Sequence, residues 1–161
     1  SRITEALAEV LSTFSGLWLV THFNHAAELT PEAAAGISRI IRAGVPVLNQ
    51  AVLLRGVNDS VPALAELFRK LLASGVKPYY LFQGDLAAGT AHLRVPLEKA
   101  LRLTEELRRK ISGMAMPVFA LDLPGGGGKI TLEPESVRMK KSGDFYIFKG
   151  NDNEEYRYPA N

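Results

Sequence analysis

The chain alternates short continuous apolar runs with longer stretches whose apolar residues recur at helical spacing. Residues 4–13 read as an amphipathic helix opened by Thr4 as its cap. Residues 17–21, Leu-Trp-Leu-Val-Thr, form an unbroken apolar strand, the texture of a sheet covered on both faces. Thr30-Pro31-Glu32 joins a cap, a first-turn proline and an early carboxylate, which predicts a helix to about Ala43, stopped by Gly44. A second strand spans 45–52 and is broken inside by polar Asn49-Gln50. Asp59-Ser60 leads into a helix over about 62–73, closed by Gly75, whose Leu64, Leu67, Phe68, Leu71 and Leu72 make a core stripe. Residues 78–82 read as a third strand, Pro96 starts a long helix to about Ile111, and 117–121 form a fourth strand.

Strands spaced by helices of this length predict βαβ units and a parallel sheet, hence an α/β fold. After Lys129 the texture changes. Residues 137–140, 144–148 and 155–158 look like short antiparallel strands joined at Ser142-Gly143 and Gly150-Asn151. The expected division is an α/β body over 1–130 and a small β-rich extension over 131–161. No repeats or low-complexity linkers interrupt it.

Composition narrows the function more by exclusion than by assertion. With 161 residues, 47% hydrophobic and 22% charged, the chain is about one soluble domain. A net charge of +2 gives no electrostatic footprint for nucleic acid. Arg108-Arg109-Lys110 falls in the last turn of a predicted helix, where it complements the macrodipole. No cysteine is present, so disulfides, cysteine-based zinc sites and thiol nucleophiles are excluded. No apolar run approaches the roughly 20 residues of a membrane helix. Ser1-Arg2-Ile3-Thr4-Glu5 resembles neither a signal peptide nor an initiator methionine, so the chain is expected to start partway through a longer, cytoplasmic one.

In parallel α/β folds, ligands gather at the carboxyl ends of the strands. Here the polar exceptions sit at those ends: Thr21-His22-Phe23-Asn24-His25, Asn49-Gln50, Gln83-Gly84-Asp85 and Asp122. The fourth strand then runs into Pro124 and four glycines followed by Lys129. A phosphate-binding P-loop fails here, because Leu123 stands at its first glycine and Ile130 at its hydroxyl position. What survives is a lysine amine presented for Schiff-base chemistry, or a flexible surface turn before a hairpin. His22 and His25, three apart at a strand end and without a firm third ligand, do not make a metal site. Asn49-Gln50 suit a bulge or a strand-end cap. Asp85 and Asp122 suit acid–base work, a ligand cation, or turn and cap roles.

These strings, in this order, resemble the lysine 2,3-aminomutase family: Thr21 to His25, Asn49-Gln50, Leu53-Leu54-Arg55-Gly56-Val57-Asn58-Asp59, Lys77-Pro78-Tyr79-Tyr80, and Asp122-Leu123-Pro124 with the glycine run and Lys129. The resemblance covers about residues 2–140. It implies a radical S-adenosylmethionine enzyme that also uses pyridoxal phosphate and interconverts lysine and β-lysine by 1,2-amino migration. The implied fold is the second half of a partial (β/α) TIM-like barrel. Lys129 then corresponds to the lysine that holds pyridoxal phosphate as an internal aldimine. Asp85 and Asp122 match the aspartates that recognise the substrate's distant ammonium, and glutamate-specific relatives replace them. Gln50 and His22 lie on the S-adenosylmethionine side.

There are departures from the family. The CxxxCxxC motif that ligates the [4Fe–4S] cluster is absent, as are upstream arginines for the cofactor phosphate and substrate carboxylate. Phe82 and Gly84 stand where members often carry tyrosine and cysteine, and no cysteine serves a structural zinc. The chain alone is therefore expected to be inactive. Half a barrel also exposes sheet edges, so a homo-oligomer is expected, with a small amino acid as ligand and neither nucleic acid nor membrane as partner. Alternatives are a related aminomutase for another amino acid or a protein-bound lysine, and a cofactor-free scaffold.

Overall fold

Residues 2–132, 139–150 and 154–160 are described by the computed structural model. The elements in order are α1 (Glu5–Ser12), β1 (Leu19–Thr21), α2 (Pro31–Arg42), β2 (Val47–Val52), α3 (Val61–Ala73), β3 (Val76–Phe82), α4 (Leu97–Arg108), β4 (Val118–Leu123), β5 (Gly128–Thr131), β6 (Met139–Ser142), β7 (Phe145–Lys149) and β8 (Glu155–Pro159). The hydroxyls of Thr4, Thr30 and Ser60 accept from the backbone N–H groups of Leu7, Ala33 and Ala63 and so start α1, α2 and α3. Proline occupies the first turn of α2 and α3, where its missing N–H costs nothing. Of the expected C-terminal strands, residues 137–138 and 151 lie outside the described part.

The main sheet runs β1-β2-β3-β4-β5 in strict sequence order. β1 to β4 are parallel, and β5 returns antiparallel to β4. β6, β7 and β8 form a separate antiparallel sheet. Along β2, buried Val47, Asn49 and Ala51 alternate with half-buried Leu48, Gln50 and Val52. Val47 and Ala51 share one core with Ile37 and Ile40 of α2 and Leu64, Leu67, Phe68 and Leu71 of α3. Tyr146, Phe148 and Tyr158 of the second sheet join that same core, and the Leu132 N–H extends the β4–β5 pairing by donating to the Phe119 carbonyl.

Two expectations are corrected. At β1 one face is left uncovered, since Val20 is 46% exposed and Trp18, just before the strand, 59%. The reason is topological: right-handed crossovers between strands laid down in sequence order, with no reversal, put α2, α3 and α4 on the same side. The fourth strand also does not stop at Leu121. It continues through Asp122 and Leu123 and pairs with β5, so the glycine run is the bend of a hairpin within the main sheet.

Candidate functional site at the strand ends

The open face of the sheet carries the site. His22 just past β1, Gln50 and Val52 on β2, Phe82 on β3, Gln83 and Asp85 beyond it, Asp122 on β4 and Lys129 on β5 line one cavity of about 290 Å³. All five candidate residues, Lys129, Asp85, Asp122, Gln50 and His22, thus come together. His25 does not: its Nδ1 accepts from the Ala27 N–H at 3.2 Å, and its own N–H donates to Glu28, so it caps a short turn. Among the described residues, no group of three or more His, Cys, Asp or Glu side chains is placed to hold a metal ion.

A bulge sets which side chains of β3 face the cavity. The β2–β3 register steps from Asn49 opposite Pro78 to Gln50 opposite Tyr80, leaving Tyr79 as the extra residue. With side chains alternating at period two, that extra residue turns Tyr80 and Phe82 to the open face and Leu81 to the core. Without it, Leu81 would face the cavity and Tyr80 the helices. The Tyr80 hydroxyl is held above the usual phenol range first by its hydrogen bond with Tyr79, then by burial, and also by the charge of Asp122, so it stays protonated at neutral pH.

Lys129 reaches the cavity through the glycine turn. Gly125, Gly126 and Gly128 take φ of 69°, 86° and 79°, a region open to glycine at little cost. Gly127 has an ordinary φ of −63° and is small for a different reason. A Cβ there would stand 2.8 Å from the Leu123 Cβ and 2.9 Å from the Tyr156 ring. The turn sets Lys129 opposite Asp122 across the hairpin. Its Nζ lies 4.6 Å from the Tyr80 ring centroid and 4.5 Å from that of Phe82, within cation–π reach. Gly127→Ala is expected to lower stability by about 1–3 kcal/mol through overpacking. Gly126→Ala, with open space at its Cβ, should cost only the roughly 1–2 kcal/mol of a left-handed alanine. Urea midpoints of the two variants check the order.

Buried asparagines hold the loops at this rim. Asn49 accepts from the Phe23 N–H at 2.7 Å and donates to the Phe23 carbonyl at 3.1 Å, fixing the chain just past His22. Asn58 accepts from the Leu54 N–H and donates to the carbonyls of Asn24 and Val52 at 2.8 and 2.9 Å. Both are fully buried with every polar atom used. The Asn49-Gln50 break in the second strand is therefore a pin on the core face, Asn49, followed by a cavity residue, Gln50, opposite the Tyr79 bulge of β3. Asn58→Ala strands three backbone groups and is expected to cost about 2–3 kcal/mol, read as a drop in melting temperature.

Tyr80 and Phe82 flank the cavity without being singled out by strand and turn reading, whereas Gln83 is among the polar residues at the strand ends. The first two depend on the Tyr79 bulge. Neither Asp85 nor Asp122 caps a helix: Asp85 sits in the loop after β3, where Arg94 donates to its carbonyl at 3.0 and 3.3 Å, and Asp122 is a strand residue.

The fold and rim together define an α/β protein with a cavity at the carboxyl ends of parallel strands. A solved radical SAM methyltransferase from Sphaerobacter thermophilus shares this fold, with a TM-score of 0.52 over 76% of this chain and 39% of that one, at 22% identity. By sequence, a lysine-2,3-aminomutase family model matches residues 104–149. The chain is 44% identical to L-lysine 2,3-aminomutase of Bacillus subtilis over 98% of its length and 33% of that protein's. It is 47% identical to that of Fusobacterium nucleatum over 84% of this chain and 32% of that one, and 37% identical to glutamate 2,3-aminomutase of Clostridioides difficile over 92% and 35%. The chain belongs to the lysine 2,3-aminomutase family and matches the C-terminal portions of its members. It spans about a third of the length of these relatives. Named aminomutases are isomerases. Among the described residues, no helix is long and apolar enough to cross a membrane.

Proposed function

We propose that this chain supplies the substrate-facing wall of a lysine 2,3-aminomutase, as the second half of a partial (β/α) barrel, in a cytoplasmic enzyme. One observation carries the reading: a primary amine and two carboxylates share a single cavity on the open face of the sheet. The amine of Lys129 fits the aldehyde of pyridoxal phosphate, and the flanking Tyr80 and Phe82 rings give an apolar seat beside it. The cofactor's phosphate would need cations from elsewhere, since among the described residues no arginine lines the cavity. His22 and Gln50, on the β1–β2 side, offer polar groups for S-adenosylmethionine. The chain has no cysteine and so contributes no thiolate to a [4Fe–4S] cluster.

When bound, pyridoxal phosphate would supply a carbonyl for amine exchange and a ring that spreads an unpaired electron. The protein's part follows from its side chains. Lys129 would hold the cofactor through its amine at the carbonyl carbon. Asp85 and Asp122 hold the substrate's side-chain ammonium, whose burial without counter-charge is costly. Tyr80, kept protonated, presents a neutral hydroxyl next to Asp122 and adds no competing charge. Two carboxylates would repel a glutamate side chain, which favours lysine over the substrate of the Clostridioides difficile relative.

Incubation with pyridoxal phosphate, borohydride reduction and peptide mapping test the reading. Label concentrated on Lys129 supports it, whereas label spread over the surface lysines points to a scaffold without cofactor. The isolated chain is expected to show no turnover of lysine, because it brings no cluster ligands of its own. The open sheet face, with Val20 and Trp18 exposed, also supports self-association, which light scattering across micromolar concentrations reads directly.

A further inference from the structure

β8 belongs to the second sheet, yet it touches both segments that deliver the candidate site residues. Tyr156 and Tyr158 lie two apart on this strand, so their side chains share a face. The Tyr158 hydroxyl donates to the Gly84 carbonyl at 3.0 Å and accepts from Gln83 Nε2 at 3.3 Å. The second N–H of that amide donates to the Val95 carbonyl at 2.7 Å. With both amide protons committed, the orientation of Gln83 is fixed, and its Oε1 is left buried beside the cavity without a partner. Buried acceptors of this kind are rare and call for an explanation such as a role in a site. Asp85 follows directly on this clamped pair. Two residues back along β8, the Tyr156 ring packs against the glycine turn so closely that it leaves no room for a Cβ at Gly127.

We propose that β8 is the positioning strand of the site: Tyr158 sets the Gln83–Gly84 pair and thereby aims Asp85, while Tyr156 sets the glycine turn and thereby Lys129. The inference rests on the roles given to Asp85 and Lys129 above. Neither tyrosine touches the ligand in this scheme; each acts through a backbone segment. Burial pushes the Tyr158 hydroxyl above the usual phenol range, so it remains a proton donor to Gly84 at any working pH. The two tyrosines therefore divide the work, one for the substrate cation and one for the cofactor amine.

The test uses the protein that carries this chain, loaded with pyridoxal phosphate, and two ligands: lysine, and norleucine (2-aminohexanoate), which lacks the side-chain ammonium. Tyr158→Phe keeps the ring but removes the hydrogen bonds to Gly84 and Gln83. It should lower the ratio of lysine to norleucine affinity about tenfold, the loss of one buried hydrogen bond's worth of aim. Borohydride capture at Lys129 should be unchanged. Tyr156→Ala should do the reverse, slowing capture at Lys129 several-fold while the affinity ratio holds. A Tyr158→Phe ratio within twofold of the parent overturns the proposal, and so does a parallel fall of both readouts in both variants, the mark of general loosening. If the parent itself does not prefer lysine to norleucine, the underlying role of Asp85 fails first, and the positioning role falls with it.

Discussion

Lys129→Arg is expected to abolish covalent capture of pyridoxal phosphate at residue 129 while leaving the fold intact. Arginine keeps the positive charge and the long aliphatic stem, but its guanidinium stays protonated and offers no amine nucleophile. The substitution therefore separates two roles that a lysine over aromatic rings can play. If Lys129 serves only as a cation above Tyr80 and Phe82, arginine should replace it well, since it stacks on aromatic faces at least as readily. If its amine is the reactive group, borohydride after incubation with the cofactor should leave position 129 unlabelled. In the full enzyme, turnover should then fall by a factor on the order of 10⁴ or more, as when other covalent catalysts lose their nucleophile. Little structural cost is expected, because Lys129 is exposed and sits on a short strand held by backbone pairing with β4. A melting temperature near the parent's, together with lost capture, is the outcome that supports a cofactor-binding lysine. Retained capture elsewhere on the chain, at a rate equal to the parent's, argues for a surface lysine.

Much of this layout can be read from the amino acids because its causes are local. Thr4, Thr30 and Ser60 cap the helices they precede, and the prolines after the last two allow no other reading of where α2 and α3 begin. The polar residues at the strand ends are visible for a related reason: they interrupt apolar runs. What stays hidden is set by pairing between distant segments. Tyr79-Tyr80-Leu81-Phe82 is apolar or aromatic throughout, so alternation gives no phase, and only the register against Asn49 and Gln50 reveals Tyr79 as the bulge. Gly128 to Thr131 is too short to announce a strand, and it becomes one by lying opposite Asp122. The uncovered face depends on strand order, which no single stretch encodes. Tyr158 is 74 residues from the carbonyl it holds at Gly84.

Asp85→Asn and Asp122→Asn should each weaken lysine binding by about 10- to 100-fold, and the double variant should remove the preference for lysine over norleucine. The estimate comes from the strength of one hydrogen bond between charged groups, roughly 1.5–3 kcal/mol, lost when the carboxylate becomes an amide. Asparagine keeps the size of aspartate and one acceptor oxygen, so the change removes charge with little change of shape. Norleucine is the control that gives this meaning, because a variant that merely disturbs the cavity weakens both ligands together. The two aspartates are held differently, and this predicts an asymmetry. Asp122 is fixed by strand pairing on β4, so Asp122→Asn should act through charge alone and be unaffected by changes in β8. Asp85 sits on a loop whose backbone depends on Tyr158 and Arg94. Adding Tyr158→Phe to Asp85→Asn should therefore cost little more than Asp85→Asn alone, since the aimed group is already gone. Added to Asp122→Asn, the same change should cost its full factor again. Non-additivity in the first pair and additivity in the second, measured as lysine dissociation constants in a double-mutant cycle, would tie the C-terminal sheet to one carboxylate and not the other.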